Sequence, residues 1–220
     1  MGRLRGNRFI RVILILLLMP LPRIFKNPLC KFFLNWRIGE GAKIGLSYID
    51  AEDVEIGAFT RVGHFNHIRN CSSFVLGERV VLMNGNKFFG SSFSRNGWLN
   101  SIHIDDCAYI TSGHFFDIGG GILIEKDAVI GGRDSQLWSH SIRIVEGRKE
   151  LIPCQSKVCT GAYLGSRVIL ICSSIPSNSL VGAGAVISKS FDESPFGSAQ
   201  LIAGNPASVR REYSFLRSKE

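Results

Sequence analysis

The chain's six cysteines include no CxxC pair, there is no GxSxG segment, and its longest aliphatic run, Val12 to Met19, is eight residues. The first absence removes a zinc ribbon and offers no disulfide framework, so the cysteines read as free thiols packed as small apolar groups in a reducing compartment. The second, with no cysteine beside a basic cluster, removes the usual acyl-enzyme nucleophiles. The third removes a bilayer-spanning helix. No stretch is low in complexity, and histidine occurs only five times, so the search for imidazole chemistry is short.

What is abundant is periodicity. Ile38, Ile44, Ile56, Val62, Ile68, Phe74 and Val80 share one six-residue frame broken only by Asp50, and glycine follows several of them, as in IG at 38, 44 and 56 and VG at 62. Such a repeat specifies a parallel β-helix: three units make a triangular coil, each aliphatic residue points into a shared core, and the small residue turns the corner. The frame slips to Leu76, Leu82 and Phe88, resumes as Ile104, Ile110 and Phe116, then Ile118, Ile124 and Ile130. After an interruption it returns as Val158, Leu164 and Leu170, then Ile175, Val181 and Ile187. Slips are where coils bulge or extrude loops. With 220 residues, 45% of them hydrophobic, and 24 glycines, the expected fold is all-β: one solenoid domain over residues 38–190, with a loop at 137–157. Residues 191–220 close it as a tail or helix.

Residues 1–37 differ in character. Arg3, Arg5, Arg8 and Arg11 precede or enter the aliphatic run, and Pro20 and Pro22 end it. Leu29, Phe32, Phe33, Leu34 and Trp36 then mix with Lys26, Lys31 and Arg37. No small-x-small cleavage site follows, which argues against a signal peptide. Two readings stay open: helices lying in a membrane interface, and a helical cap over the first coil. The net charge of +8 suits an anionic partner, phospholipid or a phosphate-rich cofactor, without choosing between them.

The segment LIAGNPASVRREY at 201–213 makes the pattern specific. Hexapeptide repeats closed by an aliphatic-Ala-Gly-Asn-Pro-Ala segment and a basic tail resemble the left-handed β-helix acyltransferases, which include serine, galactoside and polysaccharide O-acetyltransferases. The resemblance covers residues 38–213. It implies the left hand of the helix, which the general rule for β-crossovers would not give. It further implies acetyl-CoA as co-substrate, no metal, a homotrimer with sites between subunits, and a sugar or lipid-linked glycan as acceptor. Cofactor contacts implied by the resemblance fall on Gly161, Ala183, Gly184, Gly204, Asn205, Pro206, Ala207 and Arg210. Lys157, Arg167, Lys189 and Arg211 are further candidates for its phosphates. Nucleic acid is not an expected partner. The expected location is cytoplasmic, at the inner membrane face if the N-terminal segment binds lipid.

Of the histidines, His64 and His67 at an early corner and His103 beside Ile104 read as structural. His114 lies in ITSGHFFDIGGG, where Asp117 follows three residues on and three glycines admit a closely approaching ligand. His140 lies in GGRDSQLWSHS, where the repeat stops, and long loops leaving a solenoid usually carry function. Transfer from a thioester to a hydroxyl needs a base of near-neutral pKa, which imidazole supplies. It also needs donors for the oxyanion, which backbone N–H groups of a glycine-rich coil offer. SQLWSHS is similar to the catalytic segment of sugar O-acetyltransferases, which implies His140 as general base in a direct transfer. By analogy with two-histidine serine acetyltransferases, His114 binds acceptor or assists proton transfer. Asp117 or Asp134 orients an imidazole, and Arg133, Asp134 and Trp138 are acceptor contacts. Two other classes stay open: a zinc protein like the γ-carbonic anhydrases, with histidines between subunits, and a non-catalytic scaffold.

Overall fold

The structure is a computed structural model that describes residues 8–92, 97–194 and 198–214. Arg3, Arg5 and the basic residues beyond 214 lie outside them. The chain winds into a parallel β-helix whose coils each give one inward side chain to each of three ladders. The first ladder runs Ile38, Ile56, Leu76, Ile104, Ile124, Val158 and Ile175. The second is Ile44, Val62, Leu82, Ile110, Ile130, Leu164, Val181 and Ile202. The third is Ile49, Ile68, Phe88, Phe116, Leu137, Leu170 and Ile187. All of these side chains are buried, so the repeat seen in the sequence is the core itself. Phe88 and Phe116 stack at 4.4 Å between centroids, which adds roughly 0.5–1.5 kcal/mol to the area they bury.

Asp50 breaks the frame because it serves the corner instead of the wall. Ile49 takes the ladder position, and Asp50 is a fully buried carboxylate that accepts from Arg11 at 2.8 Å and Arg8 at 3.1 Å. Both arginines come from helix α1 (Arg8–Leu18), which with α2 (Arg23–Leu34) lies over the first coil. Ile15, Leu18, Cys30 and Trp36 are buried there, while Lys26 Nζ donates to the carbonyls of Ile44 and Gly45 at 3.2 and 3.0 Å. Asn27 donates to the Ala42 carbonyl at 3.0 Å. Among the described residues no helix is long and apolar enough to cross a membrane.

Three expectations change. The loop at 137–157 is a continuation of structure: after Gln136–Trp138, the strands His140–Val145 and Arg148–Pro153 form an antiparallel hairpin. The alternating SIRIV and RKELIP segments favour strands, and Glu146 and Gly147, both at positive φ, make the turn. The described residues 198–214 of the closing segment are likewise a hairpin, with Ser198–Gly204 antiparallel to Ala207–Ser214 across the Asn205–Pro206 turn. Its first strand pairs Leu201 with Leu180 and Ile202 with Val181, so the prism extends beyond residue 190. Finally, not all thiols are free: Cys154 and Cys172 form a disulfide, with Cα atoms 5.3 Å apart. Their separation of 18 residues places them on stacked coils, a relation invisible to a search for CxxC. Cys30, Cys71 and Cys159 remain free and buried, and Cys107 is free and exposed.

Candidate active site

The strand Phe115–Asp117 pairs with Gln136–Trp138 on the next coil, with Asp117 opposite Trp138. Ser139 then turns the corner and His140 opens the hairpin directly over the carboxylate. His140 Nδ1 lies 3.0 Å from Asp117 Oδ1, and the two side chains are 25% and 18% exposed. Asp117 Oδ1 also accepts from the Gly119 N–H at 3.2 Å. A carboxylate at Nδ1 selects the tautomer with its proton there, which leaves Nε2 with a lone pair. No described residue bonds Nε2. Of the two carboxylates considered for this role, Asp117 is the partner. Asp134 is 62% exposed and stands 3.8 Å from Arg167.

Indole rings wall the imidazole on two sides. The Trp138 ring is 5.8 Å from that of His140 and the Trp98 ring 6.1 Å. Trp98 was missed by sequence reasoning. It lies between Phe88 and Ile104, and the frame slip between those residues was the available signal. From Trp138 a chain of half-buried rings runs outward along the sheet: Phe115 at 5.2 Å, Phe89 at 5.7 Å, His67 at 5.1 Å and Tyr48 at 5.2 Å. The Arg69 guanidinium covers Phe89 at 4.0 Å. Burial lowers the pKa of His67.

His114 is not at this site. It is 1% exposed; its Nδ1 accepts from the Ser135 N–H at 3.2 Å, and its Nε2 lies 2.8 Å from Thr111 Oγ1. Burial pushes its pKa down to about 4, so the ring is neutral near pH 7. Within one chain His114 and His140 do not meet, and the His114 imidazole ties one coil to the next. Of the remaining histidines, His64 accepts from the Leu46 N–H at 3.0 Å and His103 pairs with Asp105 at 2.8 Å.

The triple glycine also differs from expectation. A Cβ on Gly120 would strike the backbone of Ser139 and Cys154, and one on Gly119 would strike the Trp98 ring. The close approach that glycine permits is therefore made by this chain's own segments, not by a ligand. Its N–H groups are engaged as well: Gly119 with Asp117, Gly120 with Ser139 Oγ at 2.9 Å and Gly121 with the Ile118 carbonyl at 3.1 Å. They are not oxyanion donors.

Arg133 and Asp134 stand at the opposite end of Gln136–Trp138 from His140. There they line an open groove of about 640 Å³ with Gly132, Ser166, Arg167, Ala183 and Gly184. The structure thus groups two expected acceptor contacts with two expected cofactor contacts. Gly161 sits on another edge of the prism, against Asn178. Gly204, Asn205, Pro206 and Ala207 form the turn of the closing hairpin, and Arg210 Nε donates back to the Ala203 carbonyl at 3.1 Å. One chain therefore spreads the expected cofactor contacts over two edges and the closing hairpin. Among the described residues no three His, Cys, Asp or Glu side chains are grouped to hold a metal.

No protein-family profile matches the chain. It is 33% identical over 119 residues to serine acetyltransferase 2 of Arabidopsis thaliana, a match covering 54% of this chain and 35% of that protein. Serine acetyltransferase 4 of the same plant is 33% identical over 117 residues, covering 53% and 31%. The chain thus spans about a third of the length of the curated relatives it matches. Among solved structures it is similar to a variant of AntD, an N-acyltransferase from Bacillus cereus in complex with dTDP and coenzyme A. The TM-score is 0.57 at 16% identity, over 76% of this chain and 83% of that one. The hexapeptide-repeat acetyltransferase VCA0836 from Vibrio cholerae aligns with a TM-score of 0.50 at 14% identity, over 93% and 88%. The chain is a left-handed parallel β-helix of the hexapeptide-repeat type, similar in sequence and in fold to the acetyltransferases of that class.

Proposed function

We propose that this chain is an acetyl-CoA-dependent O-acetyltransferase acting, as a homotrimer, on a sugar hydroxyl of a surface polysaccharide, capsule or lipid-linked oligosaccharide. The observation that carries the reading is the 3.0 Å contact of Asp117 with His140 Nδ1, which leaves Nε2 unbonded among the described residues on a ring beside two indoles. Nε2 takes the acceptor hydroxyl's proton as that oxygen attacks the thioester carbonyl. The C–S bond then breaks, and the proton passes to the leaving sulfur of coenzyme A. Asp117 keeps its charge throughout and stabilises the imidazolium.

The groove at Gly132 to Asp134 supports a site for the cofactor. Arg133 and Arg167 offer guanidinium groups to phosphates, and beyond the adjoining residues no described atom lies within 4 Å of where a Cβ of Gly184 would stand, so the backbone there is open to a pantetheine arm. The groove and His140 are separated by the strand Gln136–Trp138, about 10 Å long, with Ser135 and Ser139 at its two ends. That separation supports sites shared between copies, one chain supplying His140 and its neighbour the groove. The exposed Ile142, Ile144 and Leu151 of the hairpin suit such a contact. The half-buried ring chain from Trp138 to Tyr48 offers stacking faces for the apolar sides of successive sugar rings.

The test is radiolabelled acetyl-CoA with a panel of sugar nucleotides and lipid-linked glycans, comparing wild type with His140→Ala. Acetylation of a hydroxyl that depends on His140 is expected. Failure of the wild type to bind acetyl-CoA would overturn the proposal and favour a scaffold, and stoichiometric zinc without acetyl-CoA binding would favour the carbonic-anhydrase class.

A further inference from the structure

The net charge of +8 has one address. Residues 1–39 hold eight of the 26 basic side chains and no acidic one, while the rest of the chain balances eighteen basic against eighteen acidic residues. In the fold Arg8 and Arg11 are matched by Asp50 and Arg37 by Asp53 and Glu55, while Arg23 and Lys31 stand exposed with no ion pair to a described residue. The helices in this segment pack Ile15, Leu18 and Cys30 against the prism yet also turn large apolar residues outward, where a solvent-facing cap would turn its polar face to water. On the prism side, α1 sets Arg11 against buried Asp50, and α2 buries Lys26 at 4% exposure against two backbone carbonyls. The outer side carries Ile13, Leu16 and Leu17 of α1, with Ile24, Phe25, Phe32 and Phe33 of α2, all between 40% and 73% exposed. Spacings of three, four and eight residues keep each set on one helix face.

We propose that this helical pair is an interfacial anchor that lays its apolar outer face on a bilayer containing anionic phospholipid. Exposed Arg23 and Lys31, next in sequence to Ile24 and Phe32, meet the headgroups. The inward ion pairs with Asp50 and the Lys26 bonds to the first coil hold the face outward, so the anchor is preformed. The charge selects a membrane over a second copy of this chain: face-to-face pairing would bring the exposed Arg23 and Lys31 of two copies together with no acidic side chain from either helical segment between them, whereas an anionic surface neutralises them. Neither helix is long enough to cross, so the contact is with one leaflet.

Sedimentation of the full chain with vesicles tests this without reference to catalysis. The wild type is expected to pellet with phosphatidylcholine–phosphatidylglycerol vesicles and several-fold less with phosphatidylcholine alone. Phe25→Ser with Phe32→Ser, both at exposed positions, is expected to weaken binding by about tenfold or more. Arg23→Gln with Lys31→Gln is expected to remove the preference for anionic vesicles while leaving the apolar face intact, which guards against a folding defect in the first variant. Circular dichroism melts check both variants. Wild-type protein left in the supernatant with both vesicle types would overturn the proposal. So would a phenylalanine double variant that binds vesicles as well as wild type, or one that only splits a larger assembly on gel filtration.

Discussion

Asp117 and His140 are 23 residues apart in sequence and 3.0 Å apart in space. Ser139 makes the joint between them. Its hydroxyl donates to the Asp117 carbonyl and accepts from the Gly120 N–H, and its carbonyl accepts from the Cys154 N–H at 3.0 Å. The first residue of the hairpin is thereby fixed to rigid coils on either side, and the imidazole is positioned by backbone instead of by a mobile loop tip.

Asp117→Asn keeps the shape of the partner and removes its charge. The imidazole then loses both its preferred tautomer and the stabilisation of its protonated form. Steady-state kinetics are expected to show kcat down by about 10²–10⁴ with acetyl-CoA binding unchanged. An unaltered kcat would mean that the carboxylate only packs against the ring.

His114 makes a pH-dependent contribution to stability. Its pKa is about 4 in the fold and 6.5 in the open chain, so between those values the unfolded state binds the proton and the folded state does not. The contribution is complete above pH 6.5 and is lost as pH falls towards 4, about 3 kcal/mol in all. In urea titrations His114→Asn is expected to be less stable than wild type at pH 7, and the gap is expected to narrow as pH falls through this window. A gap independent of pH would contradict a neutral, buried imidazole.

Asp50→Asn leaves Arg11, at 16% exposure, without a counter-charge. Because Arg8 is 61% exposed and water shares its charge, the expected cost is about 2 kcal/mol, below that of a fully buried pair. The loss falls on the docking of α1. Trypsin is expected to release the N-terminal segment faster than from wild type, well below the melting temperature of the prism. Equal cleavage rates would show that apolar contacts alone hold the helix.

The core was legible because its signal is strictly local: Ile104, Ile110 and Phe116 recur at the period that the coil imposes, and all three are buried. His140 stood out as a candidate because the period fails beside it. Harder to read was anything set by stacking between coils. Cys154 meets Cys172, and Asp50 meets Arg11, through pairings that no short window contains. His114 misled because a buried imidazole satisfied by Ser135 and Thr111 has the same neighbours in sequence as a reactive one. The glycines at 119–121 misled for a related reason, since glycine marks close approach without saying whether a ligand or the chain itself approaches.

The most direct test of His140 as the base is the rate of acetyl transfer by His140→Ala, measured with acetyl-CoA and a hydroxyl acceptor that the wild type acetylates. Loss of about 10²–10⁴ in kcat, with acetyl-CoA affinity and melting temperature unchanged, is expected. Wild-type turnover by the variant would contradict the assignment.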